Sequence, residues 1–321
     1  MTEEFPIQNV VTVGPEEAGR RLDQVATELL RDYSRARVQG WIDSGELTVD
    51  GASANRRLRL RGGEVLRLAA RLPEEGGVEP ERMAIEVLYQ DEDLMVINKA
   101  PGVVVHPGAG NRHGTLQHGL LALDAKLGAV PRCGIVHRLD KDTSGVMVIA
   151  RNLASHTALV AALAEREIER EYVALVMGEP TAGGTVDAAI ARHRSQRTRM
   201  AVRSDGRAAV THFRIAERFR GYTLLQLRLE TGRTHQIRVH MAHIGHPIIG
   251  DPQYGGRRRL AAGLSAATRA ALAAFPRQAL HAARIALAQP RSAQPIEVTA
   301  PVPADLAQLL RQLRREANAI A

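Results

Sequence analysis

Residues 134–151 read GIVHRLDKDTSGVMVIAR. A short apolar trio, Gly134-Ile135-Val136, leads into His137-Arg138-Leu139-Asp140-Lys141-Asp142-Thr143-Ser144-Gly145, and Val146 to Ala150 follow as a continuous apolar run. That run suits a buried strand. Ionisable groups are therefore pinned against core, where charge is costly unless it is paired, and such a cluster is a candidate for function. Asp, Thr, Ser and Gly are ordinary turn residues. Arg138 and His137 beside two acids exceed what a turn requires. Asp140 is the carboxylate chosen as the chemical group, and a positioned acid of this kind serves as a nucleophile or as a proton acceptor.

Three other chemistries fail on spacing. Cys133 and His137 are four apart, but Cys133 is the only cysteine, so no zinc set is completed and no intrachain disulfide framework exists. Gly108, Gly110 and Gly114 superficially resemble a dinucleotide loop, yet the third glycine comes one residue late and His106-Pro107 interrupts the strand-to-helix turn that loop needs. Asp140-Lys141-Asp142 resembles the paired aspartates of haloacid-dehalogenase-type phosphotransferases, which would require Mg²⁺. Here His137 and Arg138 separate the acids from the preceding apolar residues, and Ser144 stands where Thr or Val is expected.

Elements must hold these residues. Leu22, Val25, Ala26, Leu29 and Leu30 recur at helical spacing, and Ser34 is the expected N-cap of a second helix carrying Val38, Trp41 and Ile42, stopped at Gly45. Strands are expected at residues 47–49 and 64–68, giving a small module over 18–70. Residues 71–83 are rich in Pro, Gly and Glu and mark a linker. Residues 84–321 then read as α+β. Strands are expected at 85–89, 94–97, 172–176 and 222–229, helices at 152–168 and from 234, a surface insertion at 257–275, and a terminal amphipathic helix through Leu306, Leu309, Leu310 and Leu313.

The 321-residue chain carries a net charge of +8. Residues 20–71 hold eleven Arg against seven acids, while residues 72–95 hold eight acids and one Arg. Two basic bodies flanking an acidic stretch suit a polyanionic partner, most plainly nucleic acid. Only Lys99, Lys126 and Lys141 are lysines, so the preference for arginine itself carries little weight. With no long apolar run and no basic-then-apolar leader pattern, the expectation is a cytoplasmic, monomeric protein without a membrane partner.

Arg21-Leu22-Asp23, Ser34-Arg35, Ile42 with Gly45, Val49-Asp50-Gly51 and Gly63-Glu64 together resemble an S4 RNA-binding domain. His137-Arg138-Leu139-Asp140 with Thr143-Ser144-Gly145 resembles the catalytic motif of RluA-type pseudouridine synthases. Residues 230–240, ETGRTHQIRVH, resemble that family's second signature, and Arg170-Glu171-Tyr172 occupies the place of its tyrosine segment. Many relatives have Lys where Arg170 stands. HPGAGN at 106–111, with the S4-like module, narrows the likeness to the RluD-like branch.

The resemblance implies a pseudouridine synthase fold with a mixed, largely antiparallel sheet, preceded by a small α/β S4-like domain. It implies isomerisation of uridine in large-subunit ribosomal RNA, in the stem-loop called helix 69, with ribosomal RNA or a precursor particle as partner. No redox step occurs, so neither a cofactor nor a metal is expected. Asp140 would act at the ribose. Arg233 is the expected guanidinium partner of Asp140, with Arg238 as the replacement, because such a partner favours a charged carboxylate. Tyr172 would be a base or a stacking platform for uracil. The uridine must leave its stack, and Arg138, with His137 beside it, would fill the vacated space. Arg35, Arg37 and Arg238 are further expected RNA contacts, and His106, His113, His235, His240 and His281 are expected to be polar or RNA-facing.

Overall fold

The apolar run after Gly145 lies entirely inside a nine-stranded sheet, with every residue of Ser144–Ala150 buried. Each fully buried aliphatic side chain there contributes about 1.5–3 kcal/mol. The structure is a computed structural model that describes residues 6–30, 33, 35–71, 78–108, 110–196, 198–256 and 260–319. It divides into two units, Met1–Val78 and Glu79–Ala321.

In the first unit, β1 (Pro6–Thr12), α1 (Leu22–Leu29), α2 (Arg35–Ser44), β2 (Leu47–Val49), β3 (Ala52–Ser53) and β4 (Val65–Arg71) follow in order. The antiparallel sheet has the order β1-β4-β2-β3. Its core gathers Leu22, Val25, Ala26, Val38, Trp41 and Ile42, the residues whose helical spacing pointed inward. The sheet begins upstream of residue 18, because β1 pairs along all of β4. Ser34, the expected N-cap, and the side chain of Arg37 lie outside the described residues, as do residues 72–77 of the expected linker. Arg35 is exposed on α2, and its Nη2 donates to the fully buried Asp23 at 3.3 Å.

The second unit carries β5 (Glu86–Gln90), β6 (Leu94–Lys99), α3 (Leu116–Leu123), β7 (Ser144–Ala150), α4 (Leu153–Ala164), β8 (Glu169–Met177) and β9 (Gly184–Asp187). There follow β10 (Ile190–Arg192), β11 (Met200–Val202), β12 (Val210–Phe219), β13 (Tyr222–Leu229) and α5 (Gln236–His243). The chain ends with α6 (Ala266–Ala274), β14 (Leu280–Ala288), β15 (Pro295–Thr299) and α7 (Ala304–Asn318). The main sheet runs β5-β6-β7-β14-β8-β13-β12-β9, with β15 on β14. It is antiparallel except where β7 meets β14. The expected surface insertion is instead docked in part: Leu264 and Leu272 join the core, and Glu316 of α7 accepts from Ser265 and Thr268. Among the described residues, no helix is long and apolar enough to cross a membrane.

Candidate active site

The short parallel pairing of β7 with β14 fixes the loop that carries Asp140. His281 is in register with Ser144 and Ala282 with Gly145. A Cβ on Gly145 would sit 2.0 Å from the Ala282 carbonyl oxygen, and the backbone there has φ +115°. Only glycine permits that approach. The His281 ring meets the Ser144 hydroxyl at 3.0 Å, Gln278 donates to the Thr143 hydroxyl, and Arg277 donates to the Asp142 carbonyl while paired with Asp305. From the other side, the buried Lys99 ammonium donates to the carbonyls of Ala100, Val103 and Lys141. Burial pulls Lys99 down to about 7, against the upward pull of Asp142 and Asp140. Sequence reasoning missed Lys99, although a lysine closing an apolar strand before Pro-Gly signals a buried capping role.

Asp140 faces a cavity of about 480 Å³ lined by residues from its own loop, β8, β13 and α5. Its carboxylate accepts from Arg238 Nη1 at 2.9 Å. Arg238 also makes a two-point pair with Asp251, at 2.7 and 2.9 Å, and reaches Gln253 at 3.2 Å. Burial works against the Arg238 charge, but Asp251 and Asp140 outweigh it and hold the guanidinium above arginine's ordinary value. Burial likewise opposes the Asp251 charge. Arg238 and the amides of Tyr254 and Gln253 overcome it and hold that carboxyl below the usual range. His235, in the left-handed region at the start of α5, stands 3.9 Å from Asp140 and shares a 2.7 Å hydrogen bond with the Tyr254 hydroxyl.

The expected pairing of Asp140 with Arg233 is corrected: Arg238 takes that place. Arg233 lines the same cavity, but it precedes α5 and its Nε donates to the Ala208 carbonyl at 3.1 Å. Arg238, one turn into α5 from His235, is carried to Asp140 by the helix. Asp251 is the second residue that sequence reasoning left without a role.

Tyr172 is buried on β8 and lines the cavity. Burial raises its phenol pKa, with Arg170 opposing and Asp140 reinforcing that shift, so the hydroxyl stays protonated at neutral pH. Arg138 is exposed at the cavity and forms no ion pair among the described residues. His137, expected to face RNA beside it, lines the same cavity and is tied at one ring nitrogen to the strand that follows. Its Nε2 accepts from the Val148 amide at 3.0 Å. Burial, reinforced by the charge of Arg170, pulls His137 down to about 3, consistent with a neutral acceptor.

Of the histidines expected to be polar or RNA-facing, two are polar and enclosed by the fold. His240 and His281 are fully buried, His240 between Thr211 and the Ala188 carbonyl and His281 between Ser144 and Ala300. Outside the cavity lies a further group of titratable side chains. Glu81, His113 and His118 bring donor atoms within 4.8 Å of one another, with the Glu81 carboxylate 3.2 Å from His113 and 3.7 Å from His118.

Against this geometry, comparison with known proteins is specific. A family model described as RNA pseudouridylate synthase matches residues 93–243, which include Asp140, Tyr172 and Arg238. Proteins named ribosomal large subunit pseudouridine synthase D are similar over nearly the full chain. The one from Xanthomonas campestris pv. campestris is 52% identical, covering 93% of this chain and 90% of its own. That of Escherichia coli K12 is 48% identical, covering 97% and 95%. The solved structure of human RNA pseudouridylate synthase domain containing 4 superposes with a TM-score of 0.57 at 27% identity, over 71% of this chain and 93% of that one. The chain belongs to the RNA pseudouridylate synthase family, and its mixed, mostly antiparallel sheet is the fold of that family.

Proposed function

We propose that this pseudouridine synthase acts on large-subunit ribosomal RNA, at the stem-loop called helix 69. The names of its full-length relatives support the ribosomal substrate. Reaction at the ribose is carried by one observation: Asp140 is partly open to a cavity while its single guanidinium partner is locked from behind by Asp251. In this reading the uridine leaves its stack and enters the cavity, and Arg138 fills the gap. Asp140 attacks C1′ or removes the C2′ proton, and the bond to uracil N1 breaks. The base turns, C5 joins C1′, the C5 proton leaves and N1 regains a proton. Arg238 orients the carboxylate. The protonated Tyr172 is a stacking platform rather than a base.

The first unit is proposed as an S4-like RNA-binding module. Arg35 is exposed there beside the ion pairs of Asp23, which suits a phosphate contact without base readout. The protein is proposed to work in the cytoplasm as a monomer.

The test maps pseudouridine in ribosomal RNA transcripts and precursor particles after incubation, with and without EDTA. The expected outcome is pseudouridine in helix 69, independent of EDTA once RNA folding is controlled. Asp140→Asn is expected to lose at least about 10³-fold in rate. Modification confined to transfer RNA, or full activity in Asp140→Asn, would refute the substrate or the carboxylate respectively.

A further inference from the structure

Arg170 is a buried charge in the cavity wall that has no counter-ion among the described residues. It is 8% exposed, and its Nε has no hydrogen-bond partner. Among the described residues no carboxylate pairs with it. An isolated guanidinium in such a place is costly, and proteins normally satisfy it. Arg238, equally buried in the same cavity, is satisfied by two carboxylates.

The surroundings of Arg170 show where its missing partner belongs. Arg170 and Tyr172 are two apart on β8, and both fall on its buried face. Both line the cavity that Asp140 faces. Directly against it, a Cβ at Gly232 would come 2.8 Å from Arg170 Nη1. Glycine there leaves the guanidinium its place. The cavity therefore holds a carboxylate for the ribose, an aromatic face for the base and a cation without an anion.

We infer that Arg170 receives the negative charge of the departing uracil, donating through its guanidinium to a carbonyl oxygen of the base. This rests on the reading of Asp140 as the group that acts at the ribose. In either route the C1′–N1 electron pair passes to the base. With Asp140 as nucleophile, a carboxylate oxygen bonds to C1′ as N1 leaves, and C5 later displaces it. With Asp140 as base, the C2′ proton moves to the carboxylate and C1′=C2′ forms as N1 leaves, the proton returning when C5 bonds to C1′. Both routes pass through a uracil anion whose charge lies on N1, O2 and O4. A donor fixed in a water-poor wall stabilises that anion more than the neutral base, which is how such donors accelerate bond cleavage.

The experiment compares the full-length wild type with Arg170→Met, Arg170→Lys and Gly232→Ala in single-turnover reactions on a helix 69 stem-loop. RNA affinity is measured separately in an Asp140→Asn background. Arg170→Met is expected to slow uridine conversion by about 10²- to 10³-fold, to change RNA affinity little, and to melt no lower than wild type, because an unpaired buried cation is replaced by an apolar side chain of similar length. Arg170→Lys should recover part of the rate. Gly232→Ala, which keeps the charge and displaces it, should lose less than Arg170→Met.

Substituting 5-fluorouridine stabilises the leaving anion, so the Arg170→Met deficit in glycosidic cleavage should shrink by about tenfold. A deficit of equal size for uridine and 5-fluorouridine, or one residing wholly in RNA affinity, would overturn the inference. An active Asp140→Asn would remove the reading beneath it, and this outcome is visible without any Arg170 variant.

Discussion

The floor and the wall of the cavity solve the problem of buried charge in opposite ways. On the floor, Asp251 is fully buried, Arg238 is 5% exposed, and every charge has its partner before substrate arrives. Asp140, at 18% exposure, is the floor's open end. On the wall, Arg170 is almost as buried and has none among the described residues. A closed ion-pair network orients without needing a ligand, whereas an unpaired buried cation stores an electrostatic cost that a ligand relieves. The floor is built for position and the wall for binding what the reaction makes.

Arg238→Met breaks the floor and should have the largest effect. It leaves Asp251 buried and unpaired, so urea unfolding should show a loss of about 3–5 kcal/mol, and single-turnover rates should fall by about 10²-fold or more. Adding Asp251→Asn should return part of the stability and none of the rate. Arg170→Met should not destabilise, and this difference in stability effect separates floor from wall.

Arg138→Ala touches neither. It should cost about tenfold on a structured stem-loop, where the vacated stack must be filled, and less on unstructured RNA. Equal losses would remove it from the flipping step. Arg233→Ala should cost no more than about fivefold in rate, the worth of one ordinary hydrogen bond. A loss matching that of Arg238→Met would reinstate Arg233 as the partner.

The smallest effect at neutral pH belongs to His137. Its folded value of about 3 lies below the ordinary 6.5. The stability it contributes is therefore fully present above pH 6.5 and is lost as pH falls towards 3. Unfolding measured at pH 7, 5 and 4 should show a steeper acid loss in the wild type than in His137→Gln.

Asp140 was legible because a charged cluster abuts an uninterrupted apolar strand. The same logic, applied to ETGRTHQIRVH, would have chosen correctly between the two arginines. Arg238 sits between Ile237 and Val239, so its charge is driven inward and must be paired. Arg233 lies between Gly232 and Thr234 in a loop, where a carbonyl suffices. The tertiary partners of the motif were not legible. Nothing local to Asp251 announces that its carboxylate takes two backbone amides and Arg238. Strands β9 to β12 escaped notice because their outward residues are polar and their hydrophobic alternation is short. β12 nevertheless buries Thr211, Phe213 and Phe219. In the first unit, the sequence pattern exposed the helices but not β1, whose role lies in pairing with a strand more than fifty residues later.

The parallel contact between β7 and β14 also sets a schedule. Ser144 and His281 are 137 residues apart, and Asp142 and Arg277 are 135 apart. Closing so long a span is entropically slow and requires both ends to exist. During synthesis, the loop bearing Asp140 leaves the ribosome long before the strand that braces it. At about 5–20 residues per second, several seconds pass in which the nascent chain has its carboxylate but no site around it. The site is thus braced only after residues 277–282 have been made, on the very kind of particle whose RNA this chain's relatives are named for modifying.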